Sequence, residues 1–331
     1  PVGRPVRRAL AFAIAGMLAI TSLDGTLWYA ETKGLEREIA SAHAVAETLP
    51  CAGARARLAA SCEGRPSQQL LLSPAAAAQD LPSTRIECLW EHGANSITTC
   101  DRGTPGASLS VAVWGNSHMH QWLGALAALA EELVLDVRTY LTGGCFPTDF
   151  PRLFVDPVET EQCLWWSDQV LSQILDSRPD LVIMASRTTD DLWNDLTAER
   201  SQLVYQAYGD TLRALLDAGI AVLVIRRGPE PEYNIPDCLA IQRDDADACA
   251  GSRRDWVRAD PLYDAAVSLG SPLVHWYDPV DLICDVSQCH PVVGGVIAYH
   301  DSNHLSETFT RSAADGLRGP LERALLATSS Q

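Results

Sequence analysis

The sequence carries little positive charge for its length. Its 331 residues include 25 Lys and Arg against 42 Asp and Glu, which gives a formal net charge of −17 at pH 7. No basic patch with interleaved aromatic residues occurs in it. Nucleic acids present a dense row of phosphates that requires a basic protein surface. We therefore exclude nucleic acid as a partner.

The sequence also lacks the CxxC pairs that are typical of structural zinc sites. Its ten cysteines are an even number and too many for an ordinary cytosolic enzyme, which favours disulfides formed in an oxidising compartment. A zinc site at Cys284 and Cys289 is the alternative, but no histidine stands at the spacing of a zinc finger. We expect no metal and no cofactor. Proximity suggests the local pairs Cys51–Cys62, Cys88–Cys100, Cys145–Cys163, Cys238–Cys249 and Cys284–Cys289, although many other connectivities are open.

An apolar stretch near the N-terminus predicts a membrane span. Three arginines precede residues 9–30, which are almost wholly apolar apart from Asp24 and small polar residues. About 20 such residues cross a bilayer as a helix, and basic residues on the leading side stay in the cytoplasm. A cleaved signal peptide is the alternative. The pair Trp28-Tyr29 favours a span with an aromatic belt, either a single span or the last one of a longer protein, so that the rest of the chain is extracytoplasmic.

Residues 31–105 predict a lead-in segment to a larger domain. Glu31 to His43 is charged and compatible with a juxtamembrane helix, and a short helix is expected near Ser73 to Gln79. Four cysteines lie between Pro50 and Pro105, so we expect disulfides to hold this segment together.

Residues 106–331 alternate between strand and helix patterns, which predicts an α/β fold with a mostly parallel sheet and helices on both faces. Residues 226–262 are polar and proline-rich, and they predict a surface excursion near the site. The predicted strands are Ser110–Trp114, Val134–Tyr140, Asp180–Ala185, Ile220–Ile225 and Leu273–Tyr277, and the predicted helices are Met119–Leu133, Cys163–Leu175, Ala198–Ala218 and Ser306–Ala327.

Two distant segments predict a nucleophilic site. Ser117 follows the first strand, at the end of the sheet where open α/β folds bind ligands. Asp301 and His304 stand three residues apart, directly before the last helix. A serine hydroxyl needs a base to take its proton, and the base needs a third group to hold its tautomer. The predicted roles are Ser117 as nucleophile, His304 as base and Asp301 as the residue that orients it. Ser117 as an ordinary helix cap is the alternative.

These segments resemble the SGNH hydrolase superfamily, and more narrowly the SGNH domains fused to membrane acyltransferases of the acyltransferase-3 family. The resemblance covers about residue 88 to the C-terminus and implies a three-layer αβα fold behind one transmembrane helix. It rests on the segments Val113-Trp114-Gly115-Asn116-Ser117-His118, Gly143-Gly144-Cys145-Phe146-Pro147 and Tyr299-His300-Asp301-Ser302-Asn303-His304-Leu305-Ser306.

The sequence departs from the superfamily pattern at two positions. Asn116 stands where the family usually has Asp, and it can keep the hydrogen bonds of the turn but not the charge. The Gly-x-Asn-Asp block after the third strand is missing, and Ala185-Ser186-Arg187-Thr188 takes its place. We therefore expect the oxyanion donors to be the backbone N–H groups of Ser117 and Gly144, and we also expect Asn116 among the oxyanion or substrate-binding residues. Arg187 is expected as a third donor, as a contact to the glycan, or as a purely structural ion-pair partner.

The resemblance implies extracytoplasmic O-acylation, usually O-acetylation, of a cell-envelope glycan, with an acyl donor delivered by a membrane acyltransferase domain. Two alternatives are open. The same triad serves a membrane-anchored carbohydrate esterase, because only the exclusion of water separates transfer from hydrolysis. The second alternative is a non-catalytic glycan-binding domain that has lost activity, and its only support is the departure from the family pattern at Asn116.

Overall fold

The computed structural model describes residues 28–62, 69–82, 88–189, 196–242 and 245–328. The predicted membrane span, residues 9–30, lies outside these ranges except for its last three residues. Within the ranges, no helix has both the length and the apolar character that a bilayer crossing requires.

The strands of the described chain are short, and most of them belong to one sheet of seven strands. They are β1 (Leu89–Trp90), β2 (Cys100–Gly103), β3 (Leu109–Gly115), β4 (Leu135–Thr142), β5 (Leu181–Ala185), β6 (Ala221–Ile225), β7 (Gly251–Ser252), β8 (Val274–Tyr277), β9 (Gln288–Cys289), β10 (Val292–Val293) and β11 (Val296–Ile297).

The large sheet has a parallel centre in the order β4-β3-β5-β6-β8. These are the five predicted strands, each within two residues of its predicted bounds. Two strands that the sequence did not predict complete the sheet on the free edge of β4, where β1 pairs parallel and β2 antiparallel. The order reverses between β3 and β5, and clefts at such switch points bind ligands in α/β folds.

Helices cover both faces of this sheet. They are α1 (residues 28–48), α2 (Arg55–Leu58), α3 (Pro74–Ala77), α4 (Ser117–His120), α5 (Leu123–Glu132), α6 (Pro157–Ser177), α7 (Ala198–Asp217), α8 (Ile235–Ile241), α9 (Arg253–Trp256), α10 (Pro261–Leu269), α11 (Val280–Ile283), α12 (Glu307–Ser312) and α13 (Ala314–Thr328).

Strand β3 shows how the two faces divide the core. Val111 and Val113 point into one apolar cluster, which includes α5, α12 and α13. Ala112 and Trp114 point into the other, which includes α6, α7 and α10. Side chains alternate along a strand, so a strand buried on both sides reads as a continuous apolar run. This α/β architecture with a parallel sheet confirms the predicted fold class.

Two predicted helices are each divided in the structure. The segment predicted as Met119–Leu133 forms α4 and α5, separated at Gln121 and Trp122. The closing helix breaks between Ser312 and Ala314. Ser306 is the N-cap of α12 as predicted, and its hydroxyl accepts a hydrogen bond from the backbone N–H of Phe309 at 3.3 Å.

The helix predicted as juxtamembrane extends to residue 48 and packs on the domain. Leu35, Ile39, Ala42 and Ala46 form a stripe at helical spacing that contacts the core or is fully buried. His43 Nε2 lies 2.8 Å from a carboxylate oxygen of the fully buried Asp80. The helix is therefore fixed to the body of the domain along its length.

All ten cysteines form disulfides, and the pairs are the five that proximity suggested. The zinc interpretation of Cys284 and Cys289 is therefore wrong, since these two residues are bonded to each other. Cys145–Cys163 ties the exit of β4 to α6. Five disulfides indicate an oxidising, extracytoplasmic compartment.

The predicted surface excursion, residues 226–262, is partly a buried wall of the molecule. Arg227, Glu230 and Trp256 in this segment are at most 6% exposed. The Tyr299 hydroxyl donates a hydrogen bond to the Pro229 carbonyl at 2.8 Å. Polar composition did not reveal this burial because its charges are paired inside the protein: Arg227 lies 3.3 Å from a Glu230 carboxylate oxygen.

Gly115→Ala is expected to lower the free energy of unfolding by about 2 kcal/mol, as overpacking in a core does. A Cβ at this position would overlap the backbone oxygen of Ala185 and approach Met119 Cβ to 2.6 Å. Gly209→Ala in α7 is the matched control, because its added Cβ would meet only Arg213 atoms at 3.5 Å or more. That control is expected to stabilise the helix by about 0.5–1 kcal/mol. Urea unfolding of both variants tests this, and equal effects would contradict it.

Candidate active site

Ser117 lies at the carboxyl end of β3, beside the switch point of the sheet, and opens α4. Asn116 precedes it as the N-cap of that helix, and its Oδ1 accepts a hydrogen bond from the backbone N–H of His118. The strand ends and the helix begins within two residues. Ser117 is therefore presented at the edge of the sheet.

The side chain of Asn116 fixes this turn to the neighbouring strand end. It is 1% exposed, and its Nδ2 donates to Ser186 Oγ at 2.9 Å and to the Arg187 carbonyl at 3.0 Å. Its Oδ1 also accepts from the Arg187 backbone N–H at 3.1 Å. An ionised aspartate could not make the two donations, because it carries acceptors only. The asparagine thus suits the loop that replaces the missing Gly-x-Asn-Asp block.

Asp301 and His304 lie on a tight loop that the backbone closes. Tyr299 and Leu305 form an isolated antiparallel bridge, and the His300 N–H donates to the His304 carbonyl at 3.1 Å. Inside the loop, Asp301 Oδ1 accepts from the backbone N–H groups of Asn303 and His304 at 2.8 and 2.7 Å. The loop is thereby shaped around the aspartate.

The structure brings Ser117, His304 and Asp301 together in one chain of hydrogen bonds. His304 Nδ1 lies 2.7 Å from Asp301 Oδ2, and His304 Nε2 lies 2.9 Å from Ser117 Oγ. Because a carboxylate only accepts, Nδ1 carries the proton and Nε2 accepts from the serine hydroxyl. This tautomer is the one that can take a proton from Ser117. The arrangement is able to activate an oxygen nucleophile.

The loop keeps Asp301 ionised. Burial by itself would raise the pKa of this carboxyl, but the hydrogen bond and charge of His304, His300 and the N–H of Asn303 hold it well below its usual range. A permanent negative charge beside Nδ1 stabilises the imidazolium that forms when His304 accepts a proton.

Two further histidines flank the ring of His304. The His118 ring centroid lies 4.8 Å from it, and the His300 ring stacks on it at 5.3 Å with an interplanar angle of 7°. Burial, then the charges of His304 and Arg187, lower the pKa of His118 well below its usual value. Its Nε2 lies 3.1 Å from Asn303 Oδ1. His118 therefore packs beside the candidate base as a neutral ring.

Gly144 lines the site from the end of β4, and Arg152 holds it there. Arg152 is 5% exposed and its Nη1 donates to the Gly144 carbonyl at 2.6 Å. Its guanidinium lies 4.8 Å from the ring centroid of Phe154. A Cβ at residue 144 would overlap Arg152 Nη1, so the guanidinium keeps this position only beside a glycine. Sequence reasoning missed Arg152, since no motif marks an arginine that reaches back eight residues.

Arg187 reaches the site and is also an ion-pair partner. Its Nε donates to both carboxylate oxygens of Glu230 at 3.2 Å, and Nη1 lies 3.4 Å from Thr189 Oγ1. Glu230 comes from the excursion that was expected at the surface, so this partner could not be assigned from the sequence. The structure thus contains the ion pair that the sequence left open, and it places Arg187 in the wall of the pocket.

Gln121 is a second residue that sequence reasoning missed. This side chain, 1% exposed, accepts a hydrogen bond from the Leu305 N–H at 2.8 Å. It therefore links the end of α4 to the loop that carries His304. Its position four residues after Ser117, as the C-cap of the helix that Ser117 begins, was the available signal.

These residues surround a pocket of about 370 Å³. Every sequence-predicted site residue contributes to its wall: Asn116, Ser117, Gly144, Arg187, Asp301 and His304, together with Gly143, Arg152, Thr189, Asn234, Ser302 and Asn303.

Potential metal ligands cluster in three places among the described residues: His92, Cys145 and Cys163; His300, Asp301 and His304; and His43, Asp80 and Glu307. In each group the ligand atoms already have partners. The two cysteines are bonded to each other, Asp301 binds His304, and Glu307 pairs with Arg311 at 2.7 Å. We interpret the three clusters as hydrogen-bonded and covalent structure.

Comparison with solved structures finds similar chains at low sequence identity. The periplasmic domain of a lipopolysaccharide acetyltransferase from Salmonella ser. Paratyphi A is 14% identical, with a TM-score of 0.49 over 77% of this chain and 90% of that one. A candidate acylhydrolase from Bacteroides fragilis is 10% identical, with a TM-score of 0.40 over 67% and 91%. Among curated proteins, no significant sequence match was found.

The family comparison is more extensive. Residues 87–318 match the family described as "SGNH domain (fused to AT3 domains)". The matched region begins just before β1 and extends into α13, so it includes the whole parallel sheet and the pocket. The chain belongs to this family of SGNH domains.

Proposed function

We propose that this protein transfers O-acyl groups, most simply acetyl groups, to a hydroxyl of a cell-envelope glycan through an acyl-enzyme on Ser117. The observation that carries the proposal is the hydrogen-bond chain from Ser117 through His304 to Asp301, with lengths of 2.9 and 2.7 Å. The chain belongs to a family of SGNH domains that are fused to AT3 (acyltransferase-3) domains, and this membership supports a reaction that transfers acyl groups.

In the first step Ser117 Oγ attacks the carbonyl carbon of the acyl donor while His304 Nε2 takes the serine proton. Asp301 stays ionised and stabilises the imidazolium. The tetrahedral intermediate then collapses, the bond to the donor oxygen or sulfur breaks, and His304 returns the proton to that leaving group. The product is an ester on Ser117.

The charge that develops on the carbonyl oxygen requires donors aimed at it. We assign this role to the backbone N–H groups of Ser117 and Gly144, which both line the pocket. One such donor typically contributes about 2.7–4 kcal/mol of transition-state stabilisation. We assign Arg187 to a third donor or to a contact with the glycan, since its guanidinium lines the same pocket while Glu230 holds its Nε.

In the second step a sugar hydroxyl takes the place of the leaving group. His304 removes its proton, the hydroxyl oxygen attacks the ester carbon, and Ser117 Oγ leaves and is reprotonated. If water attacks instead, the same residues give an esterase.

We further propose residues 9–30 as the membrane span, residues 31–105 as the lead-in and residues 106–331 as the catalytic domain. An AT3 domain is the proposed source of the acyl group.

Ser117→Ala and His304→Ala are each expected to lower the hydrolysis of p-nitrophenyl acetate at least ~10³-fold, and Asp301→Asn by roughly 10³–10⁴-fold because the wrong tautomer is favoured. Initial rates of the disulfide-intact chain measure this. His290→Ala is the matched control, since His290 Nε2 also contacts an aspartate, Asp285, at 2.9 Å but outside the pocket. A Ser117→Ala variant that retains the parent rate would overturn the proposal.

His118→Gln is expected to reduce the acid sensitivity of folding. The pKa of His118 is depressed in the folded chain, so its contribution to stability is fully present above the ordinary value of about 6.5 and is lost as pH falls. One pH unit below that value, the unfolded state gains about 1.4 kcal/mol from protonation. Urea unfolding at pH 7.5 and 5.5 should show a smaller difference for the variant. Equal differences would mean that His118 is charged in the folded protein.

Arg152→Met is expected to lower kcat for p-nitrophenyl acetate by about 10–100-fold with little change in KM, because the Gly144 turn loses the hydrogen bond that orients it. Arg200→Met is the matched control. Arg200 also donates to a carbonyl, that of Pro151 at 2.6 Å, and lies 4.8 Å from the ring centroid of Phe150. If both variants lose activity to the same extent, the effect comes from loss of loop structure and Arg152 has no specific role.

A further inference from the structure

A group of aromatic side chains continues from the pocket along the β1 edge of the sheet. We call His92, Phe154 and Trp165 the aromatic ridge. His92 is exposed, Phe154 is half-buried, and Trp165 on α6 is 38% exposed. The buried Trp90 lies beneath them, with ring centroids 5.4 Å from His92 and 6.1 Å from Trp165. His92 and Phe154 are 5.5 Å apart at 75°. His92 and Trp165 of the ridge therefore both pack against a buried tryptophan, Trp90.

The ridge begins at the wall of the pocket. Phe154 lies under the guanidinium of Arg152 at 4.8 Å, and Arg152 itself lines the pocket. A Cβ built at Gly144 would lie 3.8 Å from the Phe154 ring. The strands β1 and β4 run parallel, so their carboxyl ends lie side by side. His92, just after β1, is therefore at the same end of the strands as Gly144, just after β4. From His92 the buried Trp90 makes the connection to Trp165, since its ring contacts both of theirs.

Polar groups suited to hydroxyls lie beside the rings. Glu159 and Gln162 occupy the first two turns of α6, about two turns and one turn before Trp165, respectively. Gln162 Nε2 lies 3.6 Å from the position of a Cβ at Gly93, next to His92. Burial lowers the pKa of His92, with Glu159 opposing and Arg152 adding to the effect, so the ring is neutral near pH 7. Because His92 Nε2 lies 4.0 Å from Cys145 Sγ, its other ring nitrogen is the one we assign to a sugar hydroxyl.

Sugars match this combination of surfaces. One face of a pyranose ring carries mainly C–H groups and packs on aromatic rings, while its edge carries hydroxyls for planar polar side chains. The neighbouring rings of His92 and Phe154, 5.5 Å apart, offer stacking surfaces for adjacent sugars. We propose that the aromatic ridge is a glycan-binding subsite that holds the sugars adjacent to the one whose hydroxyl reacts at Ser117. This inference rests on the proposed function and names its acceptor as an oligomeric glycan.

The test measures acetate release by the full, disulfide-intact chain from chemically O-acetylated oligosaccharides. The probes are O-acetylated chitohexaose, mannohexaose and maltohexaose, each compared with its O-acetylated methyl monosaccharide. Cleavage of the ester forms the same acyl-enzyme in a transferase and in an esterase. Stacking depends little on sugar identity, because every pyranose offers an apolar face, so the natural acceptor is not required.

The parent is expected to prefer at least one hexasaccharide to its monosaccharide by about tenfold in kcat/KM, which corresponds to 1.4 kcal/mol of added binding. Trp165→Ala is expected to remove that preference and leave p-nitrophenyl acetate hydrolysis within about twofold. Trp276→Ala is the matched control, since Trp276 is 42% exposed on β8 at the opposite edge of the sheet. It should behave like the parent. His92→Ala should act like Trp165→Ala.

The outcomes separate the two proposals. If p-nitrophenyl acetate hydrolysis depends on Ser117 but no hexasaccharide is preferred, or if Trp165→Ala keeps the preference, the ridge is not a glycan subsite and the proposed function stands. If hydrolysis does not depend on Ser117, the proposed function itself fails. A loss of preference in Trp276→Ala as well would assign the effect to general destabilisation and overturn the subsite.

Discussion

The hydrogen bond between Ser117 and His304 joins residues 187 positions apart, and the architecture of the site depends on keeping that distance at 2.9 Å. Each end is fixed separately. The serine end is held by β3, which is buried on both faces, and by Asn116 in the turn that follows. The histidine end is held by a loop closed on itself around Asp301. Gln121 then ties the two ends together through a single buried bond to Leu305.

The electrostatics of the site suit a single base, His304, hydrogen-bonded between Asp301 and Ser117. Asp301 is kept ionised, while burial lowers the pKa of both histidines that pack against His304. Neutral rings on either side contact the imidazole without repelling the charge it gains when it accepts a proton. The arginine in the opposite wall, Arg187, is held by the buried Glu230. A chain with a net charge of −17 therefore contains a pocket whose charges are matched locally.

The sequence predicted those parts of the molecule whose signals are local. The five central strands are continuous apolar runs, and the Asp301–His304 pair is specified by spacing and by the helix that follows it. The neighbouring cysteines also paired as their proximity suggested. Strands β1 and β2 were missed because segments of two and four residues carry too little periodicity. They form strands because they pair with β4, a contact that is not visible in their own sequences.

The residues that position the site were harder to predict, because their partners are distant in sequence or lack a motif. Arg152 contacts a backbone carbonyl, and any residue type can supply a carbonyl. Glu230 lies in a segment whose polar composition is typical of a surface loop, yet it is 6% exposed. A polar composition predicts that a segment is exposed to solvent on average. This segment instead buries its charges, because they are paired with one another or with Arg187. Only the tertiary structure shows which charges are paired.

The contact between Gly144 and Arg152 also constrains how this pocket can change over evolutionary time. A side chain at position 144 would occupy the space of the guanidinium, and the guanidinium in turn binds the carbonyl of that residue. The two positions share one volume, so the effects of replacing them are not additive. A larger residue at 144 displaces the guanidinium unless position 152 has shortened first. The order of the two substitutions therefore changes the energetic cost of each.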